Sequence, residues 1–178
     1  MKLVGARSKA TMAIGVLLSG LLVSAWSGPA SATSSTSATS RAPFGLVSVR
    51  SGRCVDADLN TIGRNGTKVQ LWDCNGQLQQ RWSYYVDDTI RSSKNRKCLD
   101  ADLNAIGSNG TKVQLWDCNG SRQQKWTFVS GAVRGSLRVI SQYNGRCLDA
   151  DLNAIRGNGT KMQLWDCNSQ AQQDWRTR

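Results

Sequence analysis

A chain of 178 residues with 23 basic and 12 acidic side chains has a formal net charge of +11 and contains no histidine. Every acid is aspartate, so a histidine base, and metal sites built on histidine, are excluded from the start. The basic residues are scattered and not run together, which reads as a solvated surface and not as a nucleic-acid face.

Residues 1–9 carry Lys2, Arg7 and Lys9, an apolar run follows over residues 12–26, and Ala30-Ser31-Ala32 comes next. A basic start, a short apolar run and an A-x-A site predict a secretory signal peptide over residues 1–32. The run is shorter than the ~20 apolar residues of a spanning helix, and Gly15 and Gly20 interrupt it, so no membrane anchor is expected after cleavage. No cysteine precedes Cys54, which excludes lipid attachment at a cleavage-site cysteine. Residues 33–43 are rich in Ser and Thr and read as a flexible leader. The remainder, residues 44–178, is the size of one domain, expected to be secreted, extracellular and monomeric.

Residues 53–82 are written again as 97–126 and as 146–175, and the three copies agree at 20 of 30 positions. The domain is therefore a threefold object, with units of about 44–84, 85–128 and 129–178. The six cysteines of an exported chain argue for three disulfides, and threefold repetition makes pairing within each copy the simplest: Cys54–Cys74, Cys98–Cys118 and Cys147–Cys167. Zinc is set aside, because Cys-x19-Cys offers no close ligand pair and there is no histidine to complete a tetrahedron.

In chain order, residues 44–50 alternate and lead into the first copy as a strand, and residues 89–93 and 137–141 are the equivalent lead-ins. Within the first copy, residues 54–58 form a short strand, and residues 59–66 a loop closed by the turn signal Asn65-Gly66. Residues 68–73 form a second strand, and the last one starts within residues 80–86. No segment outside the signal peptide sustains a period of 3.6. Three units of about four strands each are too few for a propeller and suit an all-β fold, a β-trefoil: a closed barrel capped by hairpins around a pseudo-threefold axis. Closure would pair the C-terminal end with the strand at residues 44–50 and remove exposed edges.

Strand parity then separates two jobs. Val69 and Leu71 face the core, as do Val113/Leu115 and Met162/Leu164, whereas Gln70 and Trp72 face away, repeated as Gln114/Trp116 and Gln163/Trp165. A tryptophan not needed to fill a barrel, next to an amide, suits a pyranose ring, which has C–H groups on one face and hydroxyls round its rim. Trp82, Trp126 and Trp175, which close the copies, are expected in the core as bulky filler. Asp56, Asp100 and Asp149 are strong acceptors for paired sugar hydroxyls. Asp58, Asp73 and Asn75 are read as turn and loop hydrogen-bonders. Asp58-x-Asn60 begins like a calcium loop, but Thr61 stands for the required glycine and Thr67 for the closing glutamate, so calcium by that motif is rejected and no metal or cofactor is expected.

The Cys-Leu-Asp start, the Gln-Leu-Trp-x-Cys strand and the closing Gln-x-Trp of each copy resemble the ricin B-chain type of lectin, also seen as family 13 carbohydrate-binding modules. The resemblance covers essentially all of residues 44–178. It implies a β-trefoil with up to three shallow sugar sites, often for galactose or xylan-type sugars. By this resemblance Asp56 holds sugar hydroxyls, Trp72 stacks on the ring, Gln80 orients Asp56 and Gln70 lines the pocket; Gln124 and Gln173 repeat Gln80. The family commonly has Asn where Gln79, Gln123 and Gln172 stand here. Asp174 replaces Arg81 and Lys125, and Arg156-Gly157 reverses Gly63-Arg64, which marks the third site as different from the others.

The expected function is thus a non-catalytic carbohydrate-binding lectin, with glycans as partners and no nucleic acid. Two alternatives stay open: a sugar-independent interaction protein, such as a protease inhibitor, on the same fold, and a glycoside hydrolase using Asp56 and Asp58.

Overall fold

The structure, a computed structural model, describes residues 40–178. The expected signal peptide and residues 33–39 of the expected leader lie outside the described residues. Residues 40–43 run beside the first copy, where the Arg41 N–H donates to the Tyr84 carbonyl at 3.0 Å and Ser40 bridges to Tyr85.

The first copy contributes β1 (Leu46–Ser48), β2 (Cys54–Ala57), β3 (Thr67–Trp72) and β4 (Trp82–Tyr84). The second gives β5 (Ile90–Ser92), β6 (Cys98–Ala101), β7 (Thr111–Trp116) and β8 (Trp126–Ser130). The third gives β9 (Leu137–Ser141), β10 (Cys147–Ala150), β11 (Thr160–Trp165) and β12 (Trp175–Thr177). β1 and β4–β5 are linked through the Phe44–Trp82 bridge, β5 and β8 through Thr89–Lys125, and β9 and β12 through Trp175–Leu137. With the β4–β5, β8–β9 and β12–β1 ladders these links close a six-stranded barrel. The C-terminal strand pairs with β1 as the sequence predicts, Leu46 opposite Thr177. The hairpins β2–β3, β6–β7 and β10–β11 cap it, and their inner strands β3, β7 and β11 all pair with one another.

Each Asn-Gly turn docks the next copy. Gly66 adopts φ 85°, a left-handed conformation that glycine takes without a Cβ penalty, and its N–H donates to the Leu115 carbonyl at 2.8 Å. Asn65 reinforces this seam, accepting from the Asp117 N–H and donating to its carboxylate at 2.8 and 2.9 Å. Asn109 does the same to Asp166 and Asn158 to Asp73, so the three copies lock head to tail in a ring.

The core is the parity prediction made solid: Val69, Leu71, Val113, Leu115, Met162 and Leu164 are fully buried, with Trp82, Trp126 and Trp175. Each closing tryptophan donates its indole N–H to the first hairpin strand of its own copy, at Val55, Leu99 and Leu148. Burying one such ring removes about 200 Å² from water, worth about 5 kcal/mol before entropic costs. The disulfides join Cys54–Cys74, Cys98–Cys118 and Cys147–Cys167.

Two local readings shift. β1 is three residues long, shorter than the predicted strand over 44–50, because Val49–Arg50 turn into the Ser48–Arg53 connection. Residues 78–80 form a 3-10 turn (Leu78–Gln80) just where the last strand was predicted to begin, as do Arg122–Gln124 and Ala171–Gln173. Three-residue turns are too short to leave a periodic signal.

Candidate functional site

In each hairpin the candidate site side chains meet because antiparallel register sets them on adjacent rungs of one face. Asp56 pairs directly with Gln70, Asp100 with Gln114, and Asp149 with Gln163, while Trp72, Trp116 and Trp165 sit one same-face rung away. The Gln70 amide donates to Asp56 Oδ1 at 3.2 Å, and Gln80 donates to Oδ2 at 3.0 Å. Gln114 and Gln124 hold Asp100 at 3.1 and 3.0 Å, and Gln163 and Gln173 hold Asp149 at 2.9 and 3.0 Å. The second amide is itself tied down: Gln80 also donates to the Asp73 carbonyl and accepts from the Asn75 N–H, in an arrangement repeated in the other two copies.

These aspartates are 3–4% exposed, yet among the described residues none of them forms an ion pair. Burial pushes the carboxyls of Asp56, Asp100 and Asp149 above the usual aspartate range, and the donated amide bonds only partly offset it. Folding therefore works against these charges. A carboxylate offers about four lone-pair positions and the two amides fill two, so each aspartate keeps acceptor capacity toward the open side. There the tryptophan, 39–40% exposed in all three copies, presents its ring.

Three clefts result, of about 240, 330 and 320 Å³ in copy order. The first brings together Asp56, Gln70, Trp72 and Gln79; the second Asp100, Gln114, Trp116 and Gln123; the third Asp149, Gln163, Trp165 and Gln172. Gln80, Gln124 and Gln173 do not line them. They are buried behind the carboxylates and act through them.

Sequence reasoning missed part of the wall. Asp58, Leu59, Asn60 and Asn75 line the first cleft, as do their counterparts in the others, and Lys112 and Lys161 line the second and third. Asp58 and Asn75 are also the loop hydrogen-bonders expected, accepting from the N–H groups of Asn60 and Gln77. Strand parity continued from Asp56 to Asp58 would have found the first of these. Asp174 lies outside the third cleft. It is fully buried, accepts from the Ala132 and Val133 N–H groups and pairs with Arg138 at 3.0 Å, which anchors the longer β8–β9 hairpin.

The model of the ricin-type β-trefoil lectin domain matches residues 42–175. Nigrin b of Sambucus nigra is 51% identical over 43 residues, covering 24% of this chain and only 8% of nigrin b. Among solved structures, the designed threefold-symmetric protein ThreeFoil superposes with a TM-score of 0.68 at 22% identity, covering 76% of this chain and 96% of that one. A non-toxic homologue of type II RIPs from Momordica charantia, solved with α-methyl-D-galactoside, gives 0.62 at 26% identity, covering 78% of this chain and 47% of that one. With the family pattern running through all three copies and the barrel closed around them, this chain belongs to the ricin-type β-trefoil lectin family.

Proposed function

We propose that the protein is a secreted, non-catalytic lectin that binds galactose- or xylan-type glycans in up to three equivalent clefts. The observation that carries this reading is the threefold buried carboxylate, held by two amides with no cation partner among the described residues, beside an exposed indole. Charging such a group costs stability, so its placement calls for a ligand that uses its free lone pairs. A sugar supplies hydroxyls to the carboxylate and an apolar C–H face to the ring. The relative solved with α-methyl-D-galactoside favours galactose as the first sugar to try.

Asp58 does not stand ready as a catalytic partner to Asp56, because its carboxylate accepts from Asn60 and Thr61 of its own loop. Three disulfides suit an oxidising, extracellular setting. Each cleft is shallow and its single-site affinity weak, and three linked sites raise avidity on a glycan surface about 10²-fold or more where the spacing fits. A glycan array tests the reading against the variant Trp72→Ala/Trp116→Ala/Trp165→Ala. Wild-type binding lost in the variant supports it; no binding by the wild type, or equal binding by the variant, refutes it.

A further inference from the structure

Besides the cleft tryptophan, one apolar residue recurs at the same position of every copy where the core does not use it. Leu59, Leu103 and Leu152 are 51%, 53% and 48% exposed, and each lines its own cleft. Core packing by the same loop falls to the isoleucine three residues on: Ile62 and Ile106 pack against the core cluster, and Ile155 belongs to it. The loop is also held firmly. Asp58 accepts from the Asn60 N–H at 3.1 Å, with Asp102 and Asp151 doing the same for Asn104 and Asn153. The Thr67 hydroxyl spans the loop to the carbonyls of Thr61 and Arg64, and Thr111 and Thr160 repeat this. A loop so tied presents its leucine to water in every copy.

Register locates that leucine within the cleft. Trp72 pairs opposite Cys54, Asp56 opposite Gln70, and the Asp58 N–H donates to the Lys68 carbonyl at 2.9 Å, with Leu59 one residue beyond. The indole therefore stands at one end, the carboxylate–amide pair in the middle, and the leucine at the far end. The four residues from the Trp72 rung to the Lys68 rung span about 13 Å at ~3.3 Å per residue. One pyranose stacked on Trp72 and hydrogen-bonded to Asp56 is shorter than that span and leaves Leu59 in water.

We propose that each cleft contains a second subsite, in which Leu59, Leu103 or Leu152 packs against the apolar face of the next sugar in a chain. The ligand class is then an oligosaccharide, or a segment of a longer glycan, and not a lone monosaccharide. This rests on the sugar-binding reading above and deepens it. Burial of the exposed half of a leucine is worth about fivefold in affinity.

The test is equilibrium binding of galactose, β-1,4-galactobiose and β-1,4-galactotriose, with xylose, xylobiose and xylotriose run in parallel. The wild type is compared with Leu59→Ser/Leu103→Ser/Leu152→Ser and with the corresponding triple change to Met. The proposal expects roughly fivefold tighter binding of the disaccharide than of the monosaccharide by the wild type. It expects the Ser variant to lose that gain, read as the ratio of disaccharide to monosaccharide affinity, and the Met variant to keep it. Equal wild-type affinity for mono- and disaccharide, or a gain that survives in the Ser variant, overturns the second subsite alone. A wild type that binds none of the six overturns the sugar reading with it.

Discussion

Gln80 is the residue through which fold and site are joined, and Gln80→Leu separates what each contributes. The change removes three hydrogen bonds, one buried and two half-buried: Nε2 to Asp56 Oδ2 at 3.0 Å, Nε2 to the Asp73 carbonyl at 3.0 Å, and the Asn75 N–H to Oε1 at 2.9 Å. The bond to the carboxylate is worth about 2 kcal/mol and the two neutral ones about 1 kcal/mol each, so the expected loss is about 4 kcal/mol. For a domain of this size that lowers Tm by of the order of 10 °C. Urea and thermal unfolding at pH 7 measure it. The loss has a pH signature. Asp56 is already raised by burial, and Gln80 is the largest of the donors that lower it, so the variant's Asp56 rises further. A group whose folded pKa lies above its unfolded value favours the native state at low pH, and that contribution is lost as pH rises through the folded value. The variant's deficit should therefore shrink on acidification from pH 7 toward the ordinary aspartate value of about 3.9, without vanishing, since two of the lost bonds carry no charge. Sugar stoichiometry should fall by one cleft. A deficit below about 1 kcal/mol, or one equal at pH 7 and pH 4, would refute this assignment of Gln80.

Sugar binding itself should weaken as pH falls, starting above the ordinary aspartate value, because burial raises Asp56, Asp100 and Asp149 and protonation removes the acceptor; a titration series from pH 7 to pH 3 with a flat profile contradicts this. Asp174 behaves oppositely. Burial raises it, but the Val133 and Ala132 N–H groups and Arg138 outweigh that and hold it below the usual range, so its stabilisation is present above about pH 3.9 and is lost as pH falls through the folded value. Asp174→Ala strands the Arg138 cation and should cost about 3–5 kcal/mol in urea unfolding, with the first and second clefts still binding. Removing one disulfide by Cys98→Ser/Cys118→Ser should cost about 3 kcal/mol on the loop-entropy model, read from the same unfolding curves.

The threefold repeat and the period of two made most of the fold legible. Val69 and Leu71 had to face one way and Gln70 and Trp72 the other, and the barrel honours both assignments. Trp82 reads as core because a closed barrel needs bulky filler, and the structure buries it completely. Side-chain contacts between copies were not legible. Asn65 reads as half of a turn signal, and nothing local says that its amide will clamp Asp117 52 residues away. Gln79 and Gln80 look alike in sequence, yet a 3-10 turn sends one to the cleft wall and the other behind the carboxylate. Asp174 looked like a change of charge near the third site, but its partners lie in the β8–β9 hairpin, where the copies have diverged and repetition gives no guide.

The three clefts are proposed to bind sugar through the carboxylate and the indole. Isothermal titration of the purified protein with galactose and β-1,4-galactobiose, xylose and xylobiose, beside the three single variants Trp72→Ala, Trp116→Ala and Trp165→Ala, tests it most directly. Saturable binding is expected whose stoichiometry falls by one with each substitution that removes an active cleft, in a protein whose unfolding midpoint is nearly unchanged. Stoichiometry and affinity unmoved by all three substitutions, or no binding of any of these sugars, would contradict it.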